Sequence, residues 1–262
     1  MDLQLKGKLA LVTGSTAGIG HAIASGLAAE GARVIITGRT QKAVDAAVAE
    51  LKGQGGDVLG FAGDLSEAAT AEALAKAHPG VEILVNNLAI FEPKDFLDIP
   101  DEDWRRFFEV NVISGVRLTR LLLPAMQAKN WGRIIFISSE SAVQIPAEMI
   151  HYGTTKTAQL AVSRGLAESL SGTGITVNAI LPGPTASRGL GDFIGDLAKS
   201  QGKTFEQAER DFFREARPTS LLKRFATTAE VASLVTYIAS PLASATTGAA
   251  LRVDGGLIKS AF

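Results

Sequence analysis

The chain contains no cysteine, which excludes disulfides, thiolate metal sites and a cysteine nucleophile, and which fits a cytoplasmic protein. An excess of one charge is missing too. With 26 basic and 27 acidic residues and a net charge of −1, the sequence offers no footprint for nucleic acid and no polybasic surface for a membrane. Long apolar runs are absent. The opening stretch MDLQLKGKLALVTG holds only Leu9–Val12 before polar and glycine residues, too short for the apolar part of a signal peptide, and no segment approaches membrane-spanning length. The three histidines, His21, His78 and His151, are scattered, and nothing in their spacing suggests a metal.

What the chain does have is apolar surface and glycine. Hydrophobic residues make up 46% of 262 residues and there are 27 glycines, enough for a large core and too apolar for disorder. Short apolar runs recur at Leu9–Val12, Val34–Ile36, Val58–Phe61, Ile83–Val85, Ile134–Ile137, Ile175–Ile180 and Leu251–Val253. Runs that are apolar at successive positions suit strands buried on both faces of a parallel sheet. Amphipathic segments separate them, with Gly31 and Gly53 as stop signals. The expected fold is α/β: one doubly wound, Rossmann-type domain over residues 1–262, with about seven parallel strands and helices on both faces. One connection breaks the rhythm. From Pro182 to Pro218 a short link becomes some 35 residues, placed where ligands bind in open α/β sheets, so a substrate lid is expected at about 184–218. After it, Thr227 and Glu230 have the spacing of a capping box.

Directly after the first run stands TGSTAGIG, residues 13–20, and then a helical segment. Gly14, Gly18 and Gly20 allow a tight turn and let backbone N–H groups approach a pyrophosphate at a helix N-terminus. A plain tight turn would use the same glycines; the order strand, loop, helix favours the dinucleotide site. At the end of the second run, where a carboxylate selects the ribose of NAD, the chain has Thr37-Gly38-Arg39-Thr40. Arg39 is suited to pair with a 2′-phosphate, which points to NADP(H) over NAD; otherwise it is an ordinary surface arginine. Asp64 and Asn86-Asn87 end the third and fourth runs on the same rim, where they either meet the adenine or cap the strand ends.

A second constellation is Ser139, Tyr152 and Lys156. Tyr152 and Lys156 are i and i+4 on one helix face, where an ammonium near the phenol favours its ionised form, and the Ser139 hydroxyl at a strand end can donate to a carbonyl oxygen. With TGSTAGIG, Asn86-Asn87, Asn111, Ser139 and Tyr152-x-x-x-Lys156 in this order, the sequence resembles the short-chain dehydrogenase/reductase family over nearly its whole length, in the branch of the 3-oxoacyl-[acyl-carrier-protein] reductases. The resemblance implies that Tyr152 is the acid/base, that Lys156 lowers its pKa and holds the nicotinamide ribose, that Ser139 binds the substrate oxygen, and that Asn111 anchors a water relaying the proton. It also implies cofactor contacts at Ser15 and Ile19 in the glycine loop, at Leu65 beside Asp64, at Asn87 and Ala89, and at Pro182, Gly183, Thr185 and Ser187. Asp254-Gly255-Gly256 resembles the family's C-terminal signature. Leu88-Ala89 departs from the family's usual Ala-Gly, adding bulk and losing a glycine near the cofactor.

The substrate side is drawn more coarsely. Glu140, Ser141, Gln144, Ile145 and Met149, then Pro184 and Thr185, are the expected lining. In residues 189–218 six acids stand against five bases and set no charge preference. Leu190, Phe193, Ile194, Leu197, Phe205, Phe212 and Phe213 give the lid either an apolar inner face or a means of docking. The expected activity is NADP(H)-dependent interconversion of a carbonyl and a secondary alcohol on a small, partly apolar substrate. Two alternatives stand beside it. One is a 3-oxoacyl-[acyl-carrier-protein] reductase, against which Gly165–Thr176 carries Glu168 as its only charge, where an acidic carrier needs a basic surface. The other is a dinucleotide-binding redox sensor without turnover, against which the intact Asn111, Ser139, Tyr152 and Lys156 argue. Trp104–Phe108, Gln159–Leu170 and the C-terminal strand offer apolar surface for a homo-oligomer, a tetramer by resemblance. His151 neighbours Tyr152 in sequence, but successive residues on a helix point apart.

Overall fold

Each of the seven apolar runs forms a strand in the computed structural model, which describes residues 1–187, 195, 198–200 and 202–261. The strands are β1 (Leu9–Val12), β2 (Arg33–Gly38), β3 (Val58–Ala62), β4 (Ile83–Asn86), β5 (Gly132–Ile137), β6 (Ile175–Pro182) and β7 (Ala250–Val253). They pair in parallel in the order β3-β2-β1-β4-β5-β6-β7. The α-helices described over their full length are α1 (Gly18–Ala29), α2 (Gln41–Gly53), α3 (Ala68–Ala77), α4 (Asp101–Phe108), α5 (Ser114–Lys129), α6 (Ile150–Ser169), α7 (Phe205–Glu215) and α8 (Thr228–Ile238).

The runs are continuous because both faces are covered. Ala10, Val12, Val34, Ile36, Ile83 and Val85 face the cluster that holds Ile23 and Leu27 of α1 and Val231 and Val235 of α8. Leu11, Ile35, Leu84, Ile134 and Phe136 face the opposite cluster, with Leu74 of α3 and Leu118, Leu122 and Met126 of α5. Each valine, leucine, isoleucine, methionine or phenylalanine side chain so removed from water contributes about 1.5–3 kcal/mol. Strand order reverses between β1 and β4, so the crevice opens at their C-terminal ends, where the glycine loop and Asn86-Asn87 lie.

Helix starts follow their caps. Thr227 and Glu230 make the expected capping box at α8, and Thr204 with Gln207 makes another at α7. The long excursion after β6 is closed at its neck by a parallel bridge between Thr185 and Ala226. Within it Phe213 packs with Ala198, Ala208 and Phe225 as a small separate core, so this ring docks the segment, whereas Phe212 lines the cavity described below. Phe205 is partly exposed. Leu190, Phe193, Ile194 and Leu197 lie outside the described residues.

Candidate active site

Gly14 and Gly18 have φ of 61° and 60°, in the left-handed region where glycine is favoured. Gly20 is fixed by space instead. A Cβ there would stand 2.4 Å from the Gly14 carbonyl oxygen and 2.5 Å from Asn87 Nδ2. Ala17 at the N-cap of α1 supplies no side-chain cap, so the first N–H groups of the helix keep their capacity for an anion. Ser15 is turned inward: its hydroxyl donates to the Val12 carbonyl at 2.7 Å and accepts the Thr37 N–H at 2.9 Å. It therefore ties the loop to β2 and shapes the cradle without pointing into it.

Asn87 is the second clamp. Its N–H donates to Thr13 Oγ1 at 2.8 Å, and its Nδ2 donates to the carbonyls of Thr13 and Gly14 at 2.9 and 3.2 Å. Leu88 sends its side chain into the core beside α3 and α5, and Ala89 lines the cavity with an ordinary φ. The added bulk and the lost glycine are thereby accommodated. On the outer rim Arg39 is exposed just past β2. Asp64 accepts from the Ser66 hydroxyl at 2.6 Å and the Ser66 N–H at 2.9 Å; the hydroxyl bond above all, with a smaller pull from Arg39, holds its carboxyl below the usual range. Leu65 turns its side chain into the core and does not line that rim with it.

A cavity of about 590 Å³ runs from the glycine loop across the ends of β4, β5 and β6. Ile19, Asn87, Ala89, Pro182, Gly183, Thr185 and Ser187 line its cofactor side; Ser139, Tyr152 and Lys156 stand in its wall. Gly183 lies against the C-terminal turn, and a Cβ there would be 2.6 Å from the Asp254 carbonyl oxygen. Asp254 in turn accepts the N–H groups of Gly256 and Ile258, both at 3.0 Å, which fixes that turn under the site. Phe91, unremarked in the sequence, meets the Tyr152 ring edge-on with centroids 6.3 Å apart.

Ser139 and Tyr152 stand together in that wall, the Ser139 hydroxyl near enough to the phenol to favour its ionised form. The pKa values run against the expectation from i, i+4 adjacency. Burial pushes Tyr152 up to about 12, opposed by the Ser139 hydroxyl and reinforced by the charge of Glu140, and burial pushes Lys156 down to about 7. Desolvation outweighs attraction in the protein itself, although the Lys156 ammonium lies over the Tyr152 ring, 5.6 Å from its centroid.

Asn111 sits behind the cavity, in a π-helical turn, Glu109–Ile113, between α4 and α5. Its side chain clips the Ile90 backbone, accepting the N–H at 2.8 Å and donating to the carbonyl at 3.0 Å, and also donates to Thr155 Oγ1 at 3.0 Å. Its backbone carbonyl accepts from Gln159 Nε2 at 2.5 Å. His151 is buried against Phe107, with ring centroids 4.0 Å apart, and takes no part in the cavity.

On the substrate side Glu140, Met149 and Pro184 line the cavity. Gln144 does not; it is exposed and reaches Thr219 Oγ1 at 3.5 Å. Glu140 is buried, accepts from Ser141 Oγ at 2.8 Å and pairs with Arg217 Nε at 3.4 Å. Burial raises its pKa, against the Ser141 bond and the Arg217 charge. Arg217 also reaches Glu148 at 3.4 Å and stacks over Phe212. Nothing in the sequence marked Arg217 as a partner of Glu140, 77 residues earlier. Among the described residues no helix is long and apolar enough to cross a membrane, and no cluster could hold a metal ion.

Comparison with known proteins agrees with this arrangement. A family model described as enoyl-(acyl carrier protein) reductase matches residues 14–258. The uncharacterized oxidoreductase YvaG of Bacillus subtilis is 51% identical over 100% of both chains, and D-beta-hydroxybutyrate dehydrogenase of Cupriavidus necator is 36% identical over 97% of this chain and 99% of that one. The crystal structure of L-sorbose reductase from Gluconobacter frateurii, complexed with NADPH and L-sorbose, superposes with a TM-score of 0.94 at 33% identity, covering 99% of this chain and 100% of the other. The chain belongs to the short-chain dehydrogenase/reductase family, as an oxidoreductase that binds a nicotinamide dinucleotide.

Proposed function

We propose that the protein is an NADP(H)-dependent oxidoreductase that interconverts a carbonyl and a secondary alcohol on a small, partly apolar, uncharged substrate. The observation that carries this reading is that the Ser139 and Tyr152 hydroxyls and Lys156 line one cavity beside the glycine loop. Ser139 and Tyr152 hold the carbonyl oxygen; Tyr152 gives the proton as the alkoxide forms, and takes it back in the reverse direction. Its raised pKa keeps that proton in place through the neutral range, which suits reduction. Lys156 holds the nicotinamide ribose and biases the phenol. When bound, the cofactor supplies or accepts the hydride. The cradle fits it: Gly20 leaves no room for a Cβ, and α1 begins uncapped.

The charge of the wall supports an uncharged substrate. Among the described lining residues the acids are Glu140, Glu148, Asp211 and Glu215, and the bases are Lys156, Lys203 and Arg217. Lys203 pairs with Asp211 at 2.7 Å and Arg217 with Glu140 and Glu148, so among the described residues the one lining cation without a carboxylate partner is Lys156, which is assigned to the cofactor ribose. The same feature ranks free carbonyl compounds above groups on an acidic acyl carrier. Met149, Pro184, Phe91 and Phe212 supply the apolar part.

NADP preference rests on Arg39. Arg39→Asp places a negative charge against the 2′-phosphate and a partner beside a free 2′-hydroxyl, and should move preference toward NAD by about tenfold or more. A screen of ketones, aldehydes and alcohols read by NADPH absorbance identifies the substrate; equal efficiency with NADH in the wild type would remove the assignment. We also propose a homotetramer in which α4, α6 and the edge strand β7 make contacts, to be checked by light scattering.

A further inference from the structure

Gln159 lies one turn beyond Lys156 on α6 and is 2% exposed. Its Nε2 donates to the Asn111 carbonyl at 2.5 Å, and its Oε1 accepts from Lys156 Nζ at 3.4 Å. The orientation of the amide is fixed by chemistry. A carbonyl demands the donor end and an ammonium demands the acceptor end, so the reverse placement would lose both bonds. Lys156 Nζ also donates to the Ile137 carbonyl at 2.9 Å. Two of its three protons are thus directed into the protein and one is left for the cavity.

The family resemblance implies that Asn111 anchors a water relaying the proton. In this chain the Asn111 carbonyl already accepts a side-chain amide. We propose that Gln159 is a positioning residue that takes the place of a water between Asn111 and Lys156, holding the ammonium in the cavity wall by a fixed, protein-borne link. An amide is neither an acid nor a base near neutral pH, so the link positions and passes no proton.

The inference rests on the roles proposed above for Tyr152 and Lys156, and its test has one arm that needs no turnover. Across the cavity from Lys156, the charged groups among the described residues are Glu140 and Glu148 after β5 and Lys203, Asp211, Glu215 and Arg217 in the α7 segment; Tyr152 shares its helix. None of them is altered by a change at Gln159. In Gln159→Leu the ammonium loses an acceptor, so its titration, followed by the 13Cε shift of Lys156 in the cofactor-free protein, moves to lower pH. In Gln159→Glu a carboxylate replaces the acceptor, and the titration moves above the wild type although the donor to Asn111 is gone. In kinetics, Gln159→Leu raises the cofactor KM, lowers kcat by about tenfold through misplacement of the ammonium, and brings the alkaline limb of activity to lower pH. Gln159→Glu restores the limb. Lys156 titrations that coincide in all three proteins overturn the proposal, and so does equal loss of activity in both variants with an unchanged pH profile. A shifted titration with unaltered kinetics would keep the contact and instead remove Lys156 from the mechanism.

Discussion

Around the glycine loop the decisive groups belong to the backbone, while across the cavity they belong to side chains that meet from distant parts of the chain. Gly20 touches Gly14, and Asn87 bonds the carbonyls of Thr13 and Gly14; the cofactor side is a set of close approaches that only particular residues permit. The substrate side is held by Glu140 with Arg217 and Arg217 with Glu148, ion pairs between the stretch after β5 and the segment after β6, and by Lys203 with Asp211 within that segment. A backbone cradle accepts one shape of ligand and tolerates little change. A wall of paired charges is re-specified by a single substitution, which is how one fold serves many substrates.

Tyr152 stands at the seam, and its loss should have the largest effect. Tyr152→Phe keeps the ring packed on Phe91 and removes the proton, so kcat should fall by roughly two to four decades while cofactor and substrate affinity are largely spared. Steady-state kinetics with cofactor titration by fluorescence decides it. A near-normal kcat would return the Ser139–Tyr152 pair to ordinary packing.

Lys156 gives a stability effect of a few kcal/mol at most. Burial brings its pKa down to about 7 from the ordinary lysine value of 10.5, so between these pH values the folded protein binds fewer protons than the unfolded chain. By linkage, stability rises with pH across that window, and below pH 7 the full cost of burying the ammonium is carried. Lys156→Met removes this contribution. The cofactor-free variant should be more stable than the wild type at pH 7, with the gap closing toward pH 10; parallel thermal melts at all pH values would show that the bonds to Ile137 and Gln159 offset desolvation.

Gly20→Ala tests the backbone cradle itself. The new methyl meets the Gly14 carbonyl oxygen, so the loop must shift at a cost of about 1–3 kcal/mol. Cofactor affinity should fall by tenfold to a hundredfold, whichever substrate is offered. Unchanged affinity would mean that the loop is pliant and that the contrast between the two sides is overstated.

The same contrast explains what the sequence disclosed. All seven strands were legible because burial on both faces leaves continuous apolar runs, and Gly14, Gly18 and Gly20 were legible because their constraint is local. Ser15 was placed at the cofactor, yet its hydroxyl bonds Val12 and Thr37; spacing shows that a residue is in the loop and not which way it turns. Gln144 was placed at the substrate and lies outside the cavity, since two residues of a turn decide its direction. Arg217, Phe91 and Gln159 had no local signal, because each acts through a partner brought near only by the fold.

Glu140→Gln should give the smallest effect and the sharpest test of the substrate side. The amide fills the same space and can still bond Ser141 and Arg217, so folding and cofactor affinity should hold. What changes is one negative charge in the wall. Arg217 then keeps Glu148 as its carboxylate partner, and an anionic analogue of the true substrate should gain several-fold in kcat/KM, less than the tenfold that about 1.4 kcal/mol would give, while the uncharged substrate is unaffected. Glu140 also raises the Tyr152 pKa, so its neutralisation lowers that pKa, and the oxidative reaction, which needs the phenolate, should reach its plateau at a lower pH than in the wild type. Relative kcat/KM for a neutral and an anionic member of one ketone series, with the oxidative pH profile, reads both effects. An anionic analogue that performs as well as the neutral one in the wild type would show that the paired charges do not select the substrate, and that the substrate side, like the cofactor side, is specified by shape.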